Sequence, residues 1–260
     1  MKKLKVLGLA AIAAGMVTLT SCLDGGGNQE SGQLFAVIDY SSTFKPLLYT
    51  PAGAPFYISS VASDPSFNAG DCVTGYITVD YDSPENANAS TNGYYTASGQ
   101  AATIKKGNFS FAALDSTALS DEQLLSGVAN MFIKSVNYRK MIALPMFEKI
   151  LTEQKNNYKL TFDYDQEPIT VNSVERVYTF CLRCQKLEDG KAPTLNNVSD
   201  ISGFDLEQLY STLKSKESAA GKKVVNYQIK YAKGFNSDST KVTTWGATDI
   251  VQFSIVDSAE

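Results

Sequence analysis

Cys72-Val-Thr-Gly-Tyr-Ile-Thr-Val-Asp-Tyr81 is the longest clear strand candidate in this chain of 260 residues. Its side chains alternate, so that Val73, Ile77 and Val79 fall on one face together with Gly75, which is typical of a strand with one buried side. Shorter strand candidates precede and follow it, whereas Ser83 to Gln100 is poor in hydrophobic residues and is predicted to be an exposed loop. Five short strands in about 80 residues predict a small barrel, which we assign to residues 33–115. The strand candidates besides Cys72–Tyr81 are Gln33–Tyr40, Leu47–Thr50, Phe56–Val61 and Phe109–Leu114, with a short piece at Thr103-Ile104.

The second half of the chain predicts a β-sandwich over residues 120–260, with one short helix. That helix is expected over Asp205–Lys214, where Leu206, Leu209, Tyr210 and Leu213 form one apolar stripe. A further helical turn is expected at Asp121–Leu125, with Ser120 as its N-cap. Six strand candidates make up the rest, and six strands with a short helix favour a sandwich. They are Met131–Val136, Lys140–Phe147, Tyr158–Tyr164, Val174–Leu187, Lys223–Ala232 and Lys241–Ile255.

The N-terminus has the pattern of a bacterial lipoprotein signal. Three lysines precede an apolar run, Val6–Leu19, that is shorter than the roughly 20 residues needed to span a bilayer. Leu19-Thr20-Ser21-Cys22 looks like a lipobox, so we predict a signal peptide over residues 1–21 and lipidation of Cys22. Residues 22–32 are polar and rich in glycine, and they are predicted to form a flexible tether.

Removal of the signal changes the charge of the chain. The mature protein would keep 20 basic residues against 27 acidic ones, a net charge of −7. Nucleic acid is therefore not an expected partner, because its phosphates select clustered lysine and arginine. A polybasic membrane patch is equally disfavoured, so acyl chains on Cys22 are expected to hold the protein to outer-membrane lipid.

The chain contains no histidine, which excludes Ser-His-Asp and Cys-His nucleophile machinery. Carboxylate-only chemistry stays possible. Three cysteines remain after lipidation, Cys72, Cys181 and Cys184, so at least one thiol is unpaired. Cys181-Leu-Arg-Cys184 spells C-x-x-C, but its flanks predict a strand, and no second pair completes a metal site. We expect one buried cysteine there and one on the other face, and we predict neither cofactor nor metal.

Two groups of residues are candidate binding sites. On a strand, Asp163, Asp165 and Glu167 would share one face as a cation site or carboxylate pair, although a solvated turn before Pro168 explains them as well. Tyr94-Tyr95, within the predicted loop, is a candidate surface for stacking on a sugar or contacting a partner. Trp245 is expected to be structural.

Three tripeptides resemble the D-S/T-x acceptor sites of an envelope O-glycosylation system. They place candidate modified residues at Ser116, Ser239 and Ser258. About one such tripeptide is expected by chance, so the pattern is a hypothesis that intact mass would test.

The order of these pieces resembles the NigD-like lipoproteins of Bacteroidota. Gly70–Val79 is similar to that family's GDRV-type barrel strand, with Cys72 in place of a basic residue. Val177–Arg183 resembles its aromatic "YLxxR" strand, and Gly203-Phe-Asp-Leu206 followed by Val225–Tyr231 resembles its ending. The family's usual histidine is missing, and its acidic run after the lipidated cysteine is reduced to Asp24. The resemblance implies an OB-like barrel followed by a β-sandwich, and no general biochemical activity.

These observations favour a non-catalytic binding or interaction module of the cell envelope, with an immunity-like role suggested by the family resemblance. The alternative is a carbohydrate-binding accessory lipoprotein of a polysaccharide-uptake system, and a fimbrial subunit or a carboxylate-only hydrolase is disfavoured. The expected partner is an unidentified envelope protein or glycan. Because the acidic pair typical of surface export is reduced to Asp24, we expect the periplasmic face of the outer membrane rather than the cell surface.

Overall fold

The computed structural model describes residues 16–19, 28–50, 54–129, 131–134 and 140–255. Within these ranges the chain is mostly β. The helical segments are α1 (Ser59–Ala62), a 3-10 turn (Pro84–Asn86), α2 (Ala89–Asn92) and α3 (Glu207–Ala219). The strands are β1 (Met16–Leu19), β2 (Gln29–Tyr40), β3 (Pro46–Tyr49), β4 (Phe56–Ile58), β5 (Cys72–Asp80), β6 (Tyr95–Thr103), β7 (Lys105–Lys106), β8 (Asn108–Phe111), β9 (Leu125–Val128), β10 (Met131–Lys134), β11 (Lys140–Thr152), β12 (Lys155–Phe162), β13 (Ile169–Val171), β14 (Val174–Glu188), β15 (Lys191–Asp205), β16 (Val224–Phe235), β17 (Val242–Ala247) and β18 (Val251–Ser254).

The chain divides into two compact units. The first comprises residues up to 105 together with 132–141, and the second comprises residues 106–131 and 142–260. Cys22 and Ser258 lie outside the described residues, as do the predicted signal peptide except for 16–19 and the first part of the tether. No helix of the described ranges is long and apolar enough to cross a membrane.

The first unit is a closed five-stranded barrel. Its strands follow the order β2-β3-β4-β6-β5, and pairing of β5 with β2 closes the ring. The β4–β6 pair is parallel, whereas the other pairs are antiparallel. The core consists mainly of aliphatic residues that face inward at alternate positions along the strands, among them Leu34, Ile38, Ile77 and Val79. The alternation predicted for Cys72–Tyr81 is confirmed, since Val73, Ile77 and Val79 are all fully buried.

Strand β2 begins at Gln29, four residues before the expected start and inside the predicted tether. Gln29 to Gly32 pair with Asp80 to Ile77 of β5. The hydroxyl of Ser31 is hydrogen-bonded to that of Thr78 at 2.7 Å. The polar composition of this segment therefore reflects an outward-facing strand end and not a free linker.

The fifth strand of the barrel is β6, which corrects two predictions. Residues 95–100 were expected to belong to an exposed loop, because this part of the sequence has few hydrophobic residues. In the structure the inward positions of β6 include small residues such as Ala97, and its outward positions are polar. The backbones of β5 and β6 approach each other closely, since a Cβ at Gly75 would lie 2.1 Å from the Gln100 carbonyl oxygen and a Cβ at Gly99 would lie 2.3 Å from that of Tyr76. The segment predicted as fifth strand, Phe109–Leu114, forms β8 instead, which pairs in parallel with β12 of the second unit.

The second unit contains two further sheets. Together with the barrel they make the chain mostly β, the fold class that the predicted barrel and sandwich imply. In one, β11 pairs with β9 and with β15. The other has the order β17-β16-β14-β12-β8, with β13 joined to β14 and β18 to β16. One face of this larger sheet carries an aromatic core in which Phe180 stacks on Tyr227 at 4.9 Å and meets Phe162 edge-on at 5.4 Å.

Helix α3 confirms the predicted amphipathic stripe, since Leu209, Tyr210 and Leu213 are buried. It begins at Glu207 and continues to Ala219, five residues beyond the predicted end. The helical turn predicted at Asp121–Leu125 is wrong. Asp121 has a positive φ of 57°, and the next residues run along β14, where the Gln123 amide donates to the Cys184 carbonyl at 2.9 Å.

Candidate functional site

The turn between β2 and β3 presents a strained aromatic residue to solvent. The amide of Ser41 donates to the Lys45 carbonyl at 2.9 Å, and the amide of Lys45 donates to the Ser41 hydroxyl at 3.1 Å. This tight closure places Phe44 at φ 59°, a left-handed conformation that glycine or asparagine usually supplies. The Phe44 ring is nevertheless 86% exposed. A bulky residue with positive φ and little burial is a feature that clusters at functional sites.

Lys45, next in the chain, lies between two tyrosines. Its Nζ donates to the hydroxyl of Tyr94 at 2.6 Å. The same atom lies 4.3 Å from the ring centroid of Tyr57 and 4.6 Å from that of Tyr94. Cation–π attraction and the hydrogen bond together hold all three partly buried side chains in one arrangement. We call Lys45, Tyr57 and Tyr94 the tyrosine–lysine cluster.

Three separate parts of the barrel build this cluster. Lys45 ends the β2–β3 turn, Tyr57 lies in the middle of β4, and Tyr94 ends the connection between β5 and β6. In an OB fold, the face of the second and third strands and the loops after the first and fourth strands form the ligand-binding surface. Counted along the chain from β2 as the first strand, those elements are β3, β4 and the two connections that supply Lys45 and Tyr94.

The electrostatics of the cluster follow from the sequence. Residues 28–104 contain one basic side chain, Lys45, and seven acidic ones. Within this segment the positive charge is therefore concentrated at the cluster, and the net charge of 1 − 7 = −6 repels polyanions.

A polar groove of about 450 Å³ adjoins the cluster. Tyr57 is directly opposite Thr96 of β6 in the parallel register, and Thr96 lines the groove, so the two features share one outward face. The groove is rich in hydroxyl, amide and carboxylate groups. They include those of Gln29, Thr78, Asp80, Glu85, Thr96 and Ser98.

A buried asparagine fixes the wall of this groove. Asn86 is 7% exposed, and its Nδ2 donates to the carbonyls of Asp80 and Thr96 at 2.8 and 2.9 Å. Its Oδ1 accepts from the Thr96 amide at 2.7 Å. These three bonds join the β5–β6 connection to both strands. The groove is thus formed by ordered backbone as well as by side chains.

Tyr94 and Tyr95, predicted together as a surface pair, have different environments. Tyr94 belongs to the cluster, whereas Tyr95 packs against the barrel core. The ring of Tyr95 meets that of Tyr81 edge-on at 5.4 Å. Adjacent residues at the start of a strand face opposite sides, so Tyr95 is a structural residue here. Sequence reasoning found Tyr94 but missed Lys45, Tyr57 and Phe44, which tertiary contacts bring beside it.

The acidic triplet Asp163, Asp165 and Glu167 lies in a turn after β12 and not along a strand. The Asp165 amide donates to the Asp163 carboxylate at 3.0 Å, and the Gln166 amide donates to the Asp163 carbonyl at 3.1 Å. This is the turn that the sequence offered as the alternative explanation. In the described part of the chain, no group of three or more Cys, Asp or Glu residues could hold a metal ion.

Cys181 and Cys184 are both buried and form no disulfide with each other. They lie three positions apart on β14 and therefore on opposite faces of the sheet, as the strand spacing predicts. Burial raises the pKa of Cys181 to about 11. Burial and the carboxylate of Glu148 raise that of Cys184 further. Both thiols are therefore neutral at physiological pH and poor nucleophiles.

Ser116 and Ser239, two of the candidate glycosylation sites, are both exposed. They lie on neighbouring segments, since the Val242 amide donates to the Ser116 carbonyl at 2.7 Å and the Ala118 amide donates to the Thr240 carbonyl at 2.8 Å. Each follows an aspartate whose carboxylate accepts the amide hydrogen bond of the threonine two residues later.

Buried ion pairs hold the second unit together. Arg183 donates to the carbonyls of Asp115 and Thr117 at 2.7 and 2.8 Å and pairs with Glu122. This arginine, which matched the "YLxxR" motif, fastens residues 112–123 across the sheet. Arg176 and the hydroxyl of Tyr178 likewise bind Glu217 of α3. The charged groups of both ion pairs are bound by protein partners, and we therefore assign them structural roles.

Comparison with known proteins identifies the family. The family model of the lipoprotein OB domain matches residues 26–103. An uncharacterized protein of Parabacteroides merdae is similar over 86% of this chain and 99% of its own, with 49% identity and a TM-score of 0.81. A provisionally assigned lipoprotein of Bacteroides fragilis shares the fold at 10% identity and a TM-score of 0.52, over 88% of this chain and 99% of its own.

No curated protein matches the chain in sequence. Lipoprotein family membership indicates a membrane-anchored protein of the cell envelope. The barrel topology, the matched domain and the extent of the P. merdae similarity agree with one another. The chain belongs to the family of Bacteroidota lipoproteins that carry this OB domain.

Proposed function

We propose that this lipoprotein binds a glycan on the outward face of its OB barrel without catalysing a reaction on it. The observation that carries the proposal is the continuity of the tyrosine–lysine cluster with the polar groove, through the paired residues Tyr57 and Thr96. Aromatic rings offer apolar faces to the C–H surfaces of a sugar. Hydroxyl, amide and carboxylate groups complement its hydroxyls.

The charge of the barrel supports a glycan over the other ligands known for OB folds. Oligonucleotide binding requires a groove that neutralises phosphates, whereas residues 28–104 contain seven acidic side chains and a single basic one, Lys45. A neutral sugar, or one with a single acidic group near Lys45, meets no such repulsion.

A protein partner is the second candidate, and Phe44 is the observation that favours it. An aromatic side chain that is 86% exposed is the kind of anchor that partner pockets accept. An immunity-like role would use this surface. We favour the glycan because the groove beside the cluster is polar and supplies few apolar contacts.

Other features support a non-catalytic role. Asp163 and Asp165, the residues considered for a carboxylate-only hydrolase, lie on an exposed turn. A fimbrial subunit requires an exchangeable terminal strand, whereas β18 pairs with Val224–Tyr227 of its own sheet. We further propose that lipid on Cys22 anchors the protein to the outer membrane and that the barrel faces the periplasm.

A glycan array probed with the full chain tests this function. The chain would carry Cys22→Ser, so that it is not lipidated. Tyr94→Ala and Lys45→Met should each weaken a detected interaction by roughly tenfold or more, since loss of about 1.4 kcal/mol of contact corresponds to tenfold in affinity. Tyr164→Ala removes an exposed tyrosine from the second unit and is the control.

Unchanged glycan binding by the cluster variants would refute the assigned site. No glycan binding, combined with capture of an envelope protein that depends on Phe44, would favour the second candidate instead.

A further inference from the structure

The larger sheet of the second unit has a second small pocket, on the face opposite its aromatic core. Its floor is a row of three side chains across adjacent strands. Thr161 of β12 is opposite Cys181 of β14, and Cys181 is opposite Lys230 of β16. We call this the sheet-face pocket, and its volume is about 230 Å³.

Two anchored segments form its walls. On one side, Leu114 belongs to the segment that Arg183 fastens across the sheet through the Asp115 and Thr117 carbonyls. On the other side, Gln166 holds the turn after β12. Its side chain donates to the Thr179 carbonyl at 2.9 Å and accepts from the Thr179 amide at 2.5 Å.

The lining combines apolar walls with one cation at the floor. Leu114 and Ile169 supply apolar surface, and both are about half exposed. Lys230 is partly buried, and its Nζ has no hydrogen bond or ion pair to any described residue. This ammonium is therefore available to donate hydrogen bonds to an anion that enters the pocket.

The other polar groups restrict which anion would fit. Burial raises the pKa of the Cys181 thiol to about 11, so that the floor offers one positive charge and no negative one at neutral pH. At the rim, Asp163 and Glu167 would repel a multiply charged anion such as phosphate. A single negative charge on an apolar body meets both constraints.

We propose that the sheet-face pocket binds a small organic carboxylate, with its carboxylate on Lys230 and its apolar body between Leu114 and Ile169. The pocket is smaller than the roughly 300–1,000 Å³ typical of sites for drug-sized ligands. The ligand class is therefore a short or single-ring monocarboxylate. This site lies within the second unit and does not depend on the glycan proposal.

Methyl NMR on the full Cys22→Ser chain tests the proposal with a matched pair of probes. Phenylacetate should shift the methyl signals of Leu114 and Ile169 in a saturable manner. Phenylacetamide, which has the same shape without the charge, should bind at least tenfold more weakly. Inorganic phosphate should leave both methyl signals unchanged.

Substitutions of Lys230 test whether its ammonium group binds the carboxylate of phenylacetate. Lys230→Met should abolish the response to phenylacetate, and Lys230→Arg should retain it. Lys159→Met removes an exposed lysine of β12 outside the pocket and should bind phenylacetate like the parent protein.

Equal binding of phenylacetate and phenylacetamide would overturn the proposal, as would full binding by a folded Lys230→Met variant. Absence of any phenylacetate response in the parent chain would overturn it as well. The comparison between the two probes uses the unsubstituted pocket, so it decides the matter even if Lys230→Met does not fold.

Discussion

Replacing Phe44 by glycine should stabilise the barrel and weaken capture of an envelope protein, the second candidate partner. Left-handed backbone costs a residue with a Cβ roughly 1–2 kcal/mol, and glycine adopts it freely. Phe44 recovers little of this cost through packing, since its ring is 86% exposed. Glycine adds about 0.5–1 kcal/mol of unfolded-chain entropy, so the net gain over the parent is expected to be about 0.5 kcal/mol.

Phe44→Ala is the matched control, because it removes the ring but keeps the Cβ and therefore the strain. Its stability should stay within about 0.5 kcal/mol of the parent, and Phe44→Gly should exceed it by about 0.5–1 kcal/mol. Urea unfolding followed through the methyl signals of Ile38 and Ile77 reports on the barrel core alone. That separation matters because two units need not unfold in one transition.

Two results would refute this reasoning. Equal stability of the glycine and alanine variants would mean that the φ of 59° stores no strain. A loss of more than about 1 kcal/mol in both would identify the ring as a packing element. If both variants are stable and bind normally, Phe44 plays no part in recognition.

Three further predictions concern the second unit. Glu217→Gln should destabilise it by roughly 2–4 kcal/mol at neutral pH, because breaking a buried pair costs about 3–5 kcal/mol and Arg176 can regain some hydration. Burial raises the pKa of Glu217, but hydrogen bonds from Arg176 and Tyr178 lower it more, to below its usual 4.5. The stability gap between parent and variant should therefore be complete above about pH 5 and shrink as the pH falls below 4.5; a gap that does not vary with pH in denaturant titrations would contradict this. The thiols of Cys181 and Cys184 should resist a disulfide reagent at pH 8 and react once urea unfolds the chain. Rapid labelling of these two thiols in the native protein would show that burial does not protect them. Intact mass of the native lipoprotein should exceed polypeptide plus lipid if Ser116 or Ser239 carries a glycan, and a mass that these two components explain would exclude the modification.

The elements predicted correctly from the sequence are those whose local pattern and tertiary role agree. Strand β5 alternates strictly, and its apolar residues are the ones buried in the barrel. Helix α3 carries its apolar stripe at helical spacing, and the same residues contact the sheet. In both cases one face decides the burial, and the sequence reveals that face directly.

The elements that were not predicted are those whose conformation depends on contacts with residues distant in the sequence. Strand β6 carries few apolar residues, and its close approach to β5 requires glycine at positions 75 and 99, which local strand signals do not predict. Residues 121–125 have helical capping signals, but Glu122 forms an ion pair with Arg183 of β14. This contact holds the segment along the sheet in an extended conformation. The same limit applies to the candidate site. Tyr94 was visible as an aromatic residue in polar surroundings, whereas its contact with Lys45 joins residues 49 positions apart.

Both candidate sites depend on strand register. In the barrel, Tyr57 and Thr96 face outward because Phe56 and Ile58, on either side of Tyr57, are buried in the core. In the second unit, Thr161 and Cys181 face the pocket because Leu160, Phe162 and Phe180 are buried on the other side. A slip of one residue would exchange the two faces and expose the core, so packing on one side fixes the positions of the binding groups on the other. Substitutions at the outward residues Tyr57 and Thr96 should therefore change ligand binding with little effect on stability, while substitutions at the adjacent inward positions should impair both.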